Sequence, residues 1–525
     1  MKKLCTITIL PINKTLQAYE GDSLYTLLLV EGLITPEDPS GNKLRLEKGA
    51  LSPAEHPEVE EAAFSTSEQA EDWVLASERY IAGDAILSMA VPQTTTLDKQ
   101  VPLVDKGYAM AIDIGSGTIV AGLSNLENMH IPILTKIANS QATIALEADE
   151  RLAYCRASEE QLKQMQSLIY KDLTYATHKL CRREGIKSQD INVIVLAGNY
   201  YQIAILLGQV TKGEMPPLGK VIRTTAAELQ WEKLNPQTQI YLLPASSADL
   251  GADTSAAILA ANLLNKINGD KISILVDLGM RGELIAAGRG KLLGTTVPAL
   301  PFEGGGLSCG MSARTGAITA VYLEDGRVIL STVRDARPLG ICGAGMLSAV
   351  DALIKQGMLD SEGRLIQPEG LPEELAERFR GTMNGREFVL SRGDNKVPYD
   401  ICINQEDINQ IQLAKGAVFA ACKALMAALK AEEEDIEEIF LADASSATIR
   451  PDVALALGLL PEIDPSRIIN IGNAAWQGAY LALSNASYLE QSEKITTLLE
   501  SLDLTSDLIY AEEFINAMNF DLMRY

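Results

Sequence analysis

A strand-like stretch that ends in Asp-x-Gly could hold a polyphosphate, and the chain contains one at Ala111–Thr118. Glycines in the turn would let backbone N–H groups approach phosphate oxygens, and a hydroxyl would add a donor. The aspartate could hold hydrated Mg²⁺, because hard cations prefer oxygen ligands and Mg²⁺ keeps several waters. The candidate residues are Asp113, Gly115, Ser116, Gly117 and Thr118. Many tight hairpins carry Asp and Gly without a ligand, so this stretch alone leaves a purely structural turn open.

A second Asp-x-Gly stretch at Leu275–Gly282 repeats the pattern, with Asp277 standing where Asp113 stands in the first. Two such hairpins with an α/β segment between them favour a fold that clamps phosphate from two lobes. In that case Asp113 and Asp277 would hold the metal and orient water, as catalytic residues. The second stretch adds the candidates Gly279, Arg281 and Gly282. Arg281 stands where a small residue would suit phosphate better, so it either pairs with phosphate or is a surface arginine.

Two further segments are rich in glycine, Pro301–Met311 and Gly340–Gly345. Gly304 and Gly305 in the first, and Gly343 in the second, are candidates for contact with a bound cofactor. Glycines before a helix fit an anion site at its N-terminus, and they equally fit close packing of the helix on a sheet. The sequence leaves both interpretations open.

The elements that would position these residues follow from hydrophobic patterning. From Tyr108 onward, apolar strands alternate with helical stretches, which is typical of α/β architecture. Residues 159–184 and 405–431 are predicted to be helices, the second capped by Asn404 with Asp407 in its first turn. We predict one lobe over residues 108–266 and a second over 267–525.

The first 91 residues have a different pattern of strands and helices, which predicts a small β-grasp domain. Strands are expected at Cys5–Leu10 and Thr15–Tyr19, a helix through Tyr25–Val30, and a closing strand pair at Tyr80–Leu87. Residues 92–107 contain two prolines and three consecutive threonines, which predicts an extended linker.

Composition restricts the class of protein. A net charge of −24 disfavours nucleic-acid binding by charge attraction. The seven cysteines are scattered without a Cys-x-x-Cys pair, which favours reduced thiols in a cytoplasmic protein. Three separated histidines give little support to a zinc or haem site. No apolar run approaches the ~18 residues of a membrane helix, and we expect no membrane association.

Several motifs in chain order resemble one family, the reductive activators of corrinoid proteins. They are Ala111–Thr118, Pro301–Met311, Arg337–Leu347, Gly458–Pro461 and Ile471–Ala475. The resemblance covers nearly the whole chain and is strongest over residues 277–482. It implies an N-terminal [2Fe–2S] ferredoxin domain, a linker and a two-lobed actin/sugar-kinase/Hsp70-type ATPase with an RNase H-like core.

The resemblance also implies a function. Corrinoid methyl carriers sometimes oxidise to inactive Co(II), and the family's activators return an electron to cobalt in a step driven by ATP. The implied partners are a corrinoid protein or methyltransferase, and family members are typically homodimers. The implied cofactor is ATP with Mg²⁺.

The sequence departs from the family pattern in its N-terminal domain. A [2Fe–2S] cluster needs four ligands, normally thiolates, and the family places three in the loop that corresponds to Leu33–Lys43. That loop contains no cysteine, and Ser77 stands where the last ligand would fall. We therefore expect no iron–sulfur cluster and no direct electron transfer.

A second departure lies after the strand predicted at Glu438–Leu441. The family has a glycine-rich turn that approaches the nucleotide, whereas this chain has Ala442–Ser446. Asp443 would place a carboxylate near phosphate, which is unfavourable in a cleft of low dielectric. The hydroxyls of Ser445 and Ser446 could compensate, which leaves nucleotide binding open.

Two functions remain open from the sequence. One is an ATP-linked activator or remodelling factor for a corrinoid protein, supplied with electrons by a separate reductase. The other is a non-catalytic module that docks a corrinoid protein or methyltransferase. A sugar or acetate kinase would share the fold alone, and fold does not fix function.

Overall fold

A computed structural model describes residues 3–10, 14–19, 21, 24–30, 43–54, 73–89, 103, 106–126, 133–145, 147–211, 215–299, 301–303, 305–333, 336–382, 385–442 and 449–521, and all structural statements below concern these residues. Its strands are β1 Leu4–Leu10, β2 Lys14–Tyr19, β3 Lys43–Leu51, β4 Trp73–Leu75, β5 Ile81–Met89, β6 Tyr108–Ile114, β7 Thr118–Asn125, β8 Ile133–Ala138, β9 Ile191–Gly198, β10 Ile222–Thr225, β11 Gln239–Leu242, β12 Ile272–Leu278, β13 Arg281–Gly288, β14 Lys291–Ala299, β15 Ala317–Glu324, β16 Arg327–Thr332, β17 Gly340–Ile341, β18 Phe379–Thr382, β19 Gly385–Ser391, β20 Ile401–Asn404, β21 Ile436–Ala442, β22 Ile468–Gly472 and β23 Leu499–Ser501.

The helices connect and cover these strands. They are α1 Leu24–Val30, α2 Ala148–Ala157, α3 Glu159–Glu184, α4 Tyr200–Leu207, α5 Ala252–Ala260, α6 Gly343–Lys355, α7 Glu373–Ala376, α8 Gln405–Ala428, α9 Pro451–Ala456, α10 Ala474–Ser484, α11 Ser487–Leu498 and α12 Leu508–Ala517.

The N-terminal sheet has the order β2-β1-β5-β3-β4, and α1 buries Leu24 and Leu28 against it. The predicted first two strands and the helix are confirmed, and Cys5 lies buried in this core. The predicted closing strand pair is wrong, because residues 81–89 form the single strand β5. That strand is continuous because it bonds β1 on one side and β3 on the other, and Asp84 accepts the Thr6 backbone N–H at 2.7 Å.

The two large sheets share one plan, which confirms the predicted repeat and the two-lobed α/β fold. The first has the order β10-β11-β9-β6-β7-β8 and the second β22-β21-β12-β13-β14-β23. In each, a three-stranded antiparallel meander is extended by a parallel strand on the edge of its first member. The second lobe adds two small sheets, β16-β15-β17 and β18-β19-β20.

The long helices form where the sequence predicts them. Helix α3 has the predicted bounds, and Ser158 caps it through the backbone N–H of Gln161. Helix α8 begins after Asn404, which forms a capping box with Asp407. It ends at Ala428, three residues before the predicted end. It is the one described helix long and apolar enough to cross a membrane, yet 72% of its most apolar window is buried within the protein, as expected of a core helix.

Two helices cross between the lobes. Helix α5 follows the first sheet in the chain, yet Ile258 and Leu259 pack with Leu275 and Ile285 of the second sheet. Helix α10 follows β22, yet its Trp476 and Ala479 lie in a core with Ala111 and Val195 of the first sheet. The helices touch at Gly478, where an added Cβ would lie 1.9 Å from the Ala256 carbonyl oxygen. A residue with a side chain would therefore force the pair apart.

Candidate functional site

A cleft of about 820 Å³, its open mouth included, brings the two Asp-x-Gly hairpins together. Both lobes and both crossing helices contribute to its wall. The residues that line it are Asp113, Gly115, Ser116, Glu147, Ala148, Asn199, Tyr201, Ala248, Asp249, Asp253, Asp277, Gly279, Met280, Arg281, Glu283, Asn473 and Ala475.

The first hairpin is held tightly by the lobe around it. Asp113 sits at the end of β6 with only 4% of its surface exposed. The buried Arg151 donates to the Ser116 carbonyl at 2.6 Å, and the Asn139 backbone N–H donates to the Gly117 carbonyl at 3.0 Å. An added Cβ at Gly115 would lie 2.8 Å from the Thr118 carbonyl oxygen, so the turn closes around a glycine. The hairpin is thus fixed before any ligand arrives.

Three asparagines converge on this hairpin, and each also caps a helix or a 3₁₀ turn. The side-chain oxygens of Asn139, Asn199 and Asn473 accept the backbone N–H groups of Gln141, Gln202 and Trp476. Their amide nitrogens donate to the Gly115 carbonyl at 2.9 Å, the Ser116 hydroxyl at 3.3 Å and the Asp113 carboxylate at 2.8 Å, respectively. Because each oxygen is engaged by a helix terminus, each amide nitrogen faces the hairpin.

The second hairpin has different surroundings. Asp277 pairs in register with Glu283 across β12 and β13, whereas Asp113 pairs with the apolar Val120. Met280 is buried at the tip, and Arg281 reaches Asp249 at 3.4 Å in a largely exposed ion pair. An added Cβ at Gly279 would meet only the Arg281 carbonyl oxygen, at an ordinary 3.6 Å.

Two carboxylates at the base of this second hairpin resist ionisation. Glu283 accepts the Thr254 hydroxyl at 2.5 Å, and Asp253 accepts the Thr254 backbone N–H at 3.0 Å. Burial raises the pKa of Asp253 to about 6. Burial, and then the charges of Asp253 and Asp277, raise the pKa of Glu283 well above its usual range. The pair therefore retains a proton in conditions where ordinary carboxylates have lost theirs.

The cleft is strongly acidic. Its lining includes the carboxylates of Asp113, Glu147, Asp249, Asp253, Asp277 and Glu283, with Arg281 as the single cation. Phosphate would be repelled from such a surface unless a metal ion came with it. Within the described parts of the chain, no three His, Cys, Asp or Glu side chains are grouped closely enough to hold a metal alone. Carboxylates that leave further positions to water and phosphate suit Mg²⁺, which keeps several waters.

The structure brings about half of the sequence-predicted residues to the cleft. Asp113, Gly115, Ser116, Asp277, Gly279 and Arg281 line it. Gly117, Thr118, Gly282, Gly305 and Gly343 do not line it. Gly343 packs against Phe302, since its Cβ would lie 2.3 Å from the Phe302 Cα, in line with the packing alternative. Gly304, Asp443 and Ser445 lie outside the described residues, as does the loop at residues 33–42.

Sequence reasoning missed the asparagines and the acidic pair. A signal for two of the asparagines was present, because β9 and β22 each end in a Gly-Asn pair that opens a helix: Gly198-Asn199 and Gly472-Asn473. Glu283 carried a weaker one, a carboxylate directly across the strand pair from Asp277. Nothing in the sequence pattern placed Asp253 beside them.

A two-lobed fold with an Asp-x-Gly hairpin in each lobe and a cleft between them defines the ASKHA class of proteins. Two domain families match this chain, the RACo middle region over residues 108–266 and the C-terminal ASKHA domain of RACo over residues 271–524. The chain therefore belongs to the RACo family of corrinoid-protein activators.

Two relatives agree with this assignment, and a solved structure has the same fold. The corrinoid activation enzyme RamQ of Eubacterium limosum is 27% identical over 416 residues, which are 78% of this chain and 69% of RamQ. The Methanosarcina barkeri reductase of the Co(II) methylated amine-specific corrinoid protein is 24% identical over 390 residues, 70% of this chain and 61% of the reductase. The solved reductive activator for corrinoid, iron–sulfur protein has the same fold, with a TM-score of 0.71, 21% identity and 99% of both chains covered.

Proposed function

We propose that this protein is an ATP-linked activator of a corrinoid protein in a methyltransferase system. The observation that carries the proposal is the cleft, in which a rigid Asp-x-Gly hairpin faces a second one across a strongly acidic wall. The relatives that match most of the chain are named as a corrinoid activation enzyme and a corrinoid-protein reductase. In this proposal, residues 1–91 form a ferredoxin-like domain, 92–107 a linker, and 108–266 and 267–525 the lobes that close on nucleotide.

Different residues of the cleft would bind the metal ion and the phosphate groups of the nucleotide. Asp113 and Asp277 would hold Mg²⁺, which would neutralise phosphate charge when bound. The turn at Gly115 and Ser116 would offer backbone N–H groups to phosphate, and Arg281 would add a positive charge from the other lobe. Closure of the lobes would exclude water from the cleft and strengthen each of these interactions.

Electrons would come from a separate reductase. A [2Fe–2S] centre needs four ligands, and Cys5 is the only cysteine before Cys155. Cys5 is buried in the core of the N-terminal sheet and cannot contribute to an exposed cluster without unfolding it. We therefore predict that the protein has no iron–sulfur cluster. Electron paramagnetic resonance of protein purified without oxygen tests this prediction. We place the protein in the cytoplasm and expect a homodimer.

Calorimetric titration with Mg-ATP, followed by an activation assay, tests this function. The full chain, its corrinoid partner as Co(II), a chemical reductant and Mg-ATP are combined without oxygen, and the Co(II) absorption band is followed. We expect micromolar to millimolar ATP binding and loss of the Co(II) band that requires ATP. Binding of the corrinoid protein with no ATP heat and no ATP requirement would instead identify a docking module.

A further inference from the structure

Residue Asn473 lies at the junction between the C-terminal chain and the first hairpin. It follows Gly472, whose φ of +58° turns the chain sharply at the end of β22. Its side-chain oxygen accepts the Trp476 backbone N–H at 2.7 Å and caps α10, and its amide nitrogen donates to Asp113 at 2.8 Å. Because the cap engages the amide oxygen, the amide nitrogen is the atom that faces Asp113, and Asn473 acts as the donor in this contact.

Helix α10 also contacts β6, the strand that carries Asp113, through Trp476. The Trp476 indole N–H donates to the carbonyl of Ala111 at 3.0 Å, two residues before Asp113 on β6. The indole ring lies against Gly122 on β7, where an added Cβ would be 2.4 Å from the ring. The first turn of α10 therefore docks on β6 through one buried and one partly buried hydrogen bond and a ring that only glycine accommodates.

We propose that Asn473 is the positioning residue for Asp113, and that through it a cation at the first hairpin is coupled to the seating of α10 between the lobes. This proposal rests on the proposed nucleotide function and deepens it. By holding one carboxylate oxygen with a neutral donor, Asn473 aims Asp113 without cancelling the charge that a cation needs. Since α10 belongs to the C-terminal chain but packs on the first sheet, any shift of the lobes acts directly on this bond.

Two variants of Asn473 separate its cap from its contact with Asp113. Asn473→Ser keeps a capping oxygen but loses the donor, and Asn473→Asp keeps the cap but sets a carboxylate against Asp113. We expect Asn473→Ser to weaken Mg-ATP binding about tenfold, as for loss of a hydrogen bond to a charged group. We expect a larger loss for Asn473→Asp, with a shifted Mg²⁺ dependence in both. Asn404→Ser is the matched control, because it changes the N-cap asparagine of α8 in the same way, and Asn404 does not line the cleft.

A nucleotide-free measurement keeps this inference distinct from the proposed function. Asn473→Asp should lower the melting temperature at pH 8 relative to Asn473→Ser, because two carboxylates would then face each other. The exchanged pair Asp113→Asn/Asn473→Asp should recover most of that loss.

The outcomes separate the positioning role of Asn473 from the proposed function. If the wild type binds Mg-ATP and Asn473→Ser binds it equally well, the positioning role is wrong. If the wild type binds no Mg-ATP, the proposed function fails, and the melting data alone decide whether Asn473 holds Asp113. An Asn473→Asp variant that melts at the same temperature as Asn473→Ser, or an exchanged pair that recovers none of the loss, overturns the inference in either case.

Discussion

The two Asp-x-Gly hairpins occupy equivalent places in two similar sheets, yet they are built for different tasks. The first is encased, with a buried aspartate, a turn that closes around Gly115, and donors that converge from Asn139, Asn199, Asn473 and Arg151. The second carries a half-exposed arginine and shares its base with carboxylates that hold a proton.

The difference shows that two copies of one motif can take different roles in binding the same ligand. A rigid hairpin suits a ligand that must be oriented, since the cost of ordering its groups is met before binding. An acidic hairpin with titratable neighbours suits a cation, or a proton, that arrives and leaves. We therefore expect larger effects on Mg-ATP binding and hydrolysis from substitutions in the first hairpin than from those in the second, and effects on pH dependence from substitutions in the second.

The largest effect is expected from removing the buried carboxylate. Asp113→Asn should lower Mg-ATP hydrolysis by about 100-fold, because it removes charge from a position that nothing else in the hairpin supplies. Asp277→Asn should lower it by about tenfold, since Glu283 and Asp253 lie beside it. Steady-state hydrolysis at saturating Mg-ATP measures both, with melting curves as the control for folding. Equal losses, or a greater loss at Asp277, would contradict the division of tasks.

A matched pair of glycines tests rigidity alone. Gly115→Ala places a Cβ 2.8 Å from the Thr118 carbonyl oxygen, whereas Gly279→Ala makes only an ordinary contact at 3.6 Å. We expect Gly115→Ala to weaken Mg-ATP binding about tenfold and to destabilise the protein by about 1–3 kcal/mol. Gly279→Ala should change either quantity little. Calorimetry and chemical denaturation provide the measurements, and tolerance of alanine at both positions would show that the first turn is not tightly constrained.

The sequence predicted the class of fold and the two hairpins because both depend on local pattern. Strands that end in Asp-x-Gly are visible along the chain, and helical patterning identified α3 to the residue and α8 to within three residues. The hydrogen bond that holds Asp113 could not be predicted from the sequence, because its donor Asn473 lies 360 residues away in the chain. The crossing of α10 between the lobes brings Asn473 to Asp113. Gly343 is a second example, because its pattern left an anion site and close packing equally open, and only the position of Phe302 favours close packing.

A smaller effect should mark the acidic base of the second hairpin. The pKa of Asp253 is about 6 in the folded protein against 3.8 for the free group. Between those values the folded state retains a proton that the unfolded chain has lost, so burial of Asp253 costs stability as pH rises through that window. Asp253→Asn should therefore stabilise the protein at pH 7.5 by about 1–3 kcal/mol.

The gain from Asp253→Asn should vanish below about pH 4, where the carboxyl is protonated in both states. Melting temperatures across pH 4 to 8 measure this. Asp503→Asn serves as the control, because hydrogen bonds from Thr505 hold the pKa of the exposed Asp503 below its usual value, and its replacement should bring no gain at neutral pH. A constant difference across this pH range would mean that Asp253 does not titrate as its burial requires.

The smallest effect concerns Arg281, whose role the sequence left open. Its ion pair with Asp249 joins two side chains that are 36% and 60% exposed, so the pair itself adds little stability. If Arg281 faces phosphate, Arg281→Gln should weaken Mg-ATP binding about threefold at low salt, and less at high salt as charges are screened. Arg327→Gln, which breaks an exposed ion pair with Glu374 outside the cleft lining, is the control. Identical Mg-ATP affinities for both variants and the wild type would make Arg281 a surface arginine, and the second hairpin would then contribute carboxylates alone.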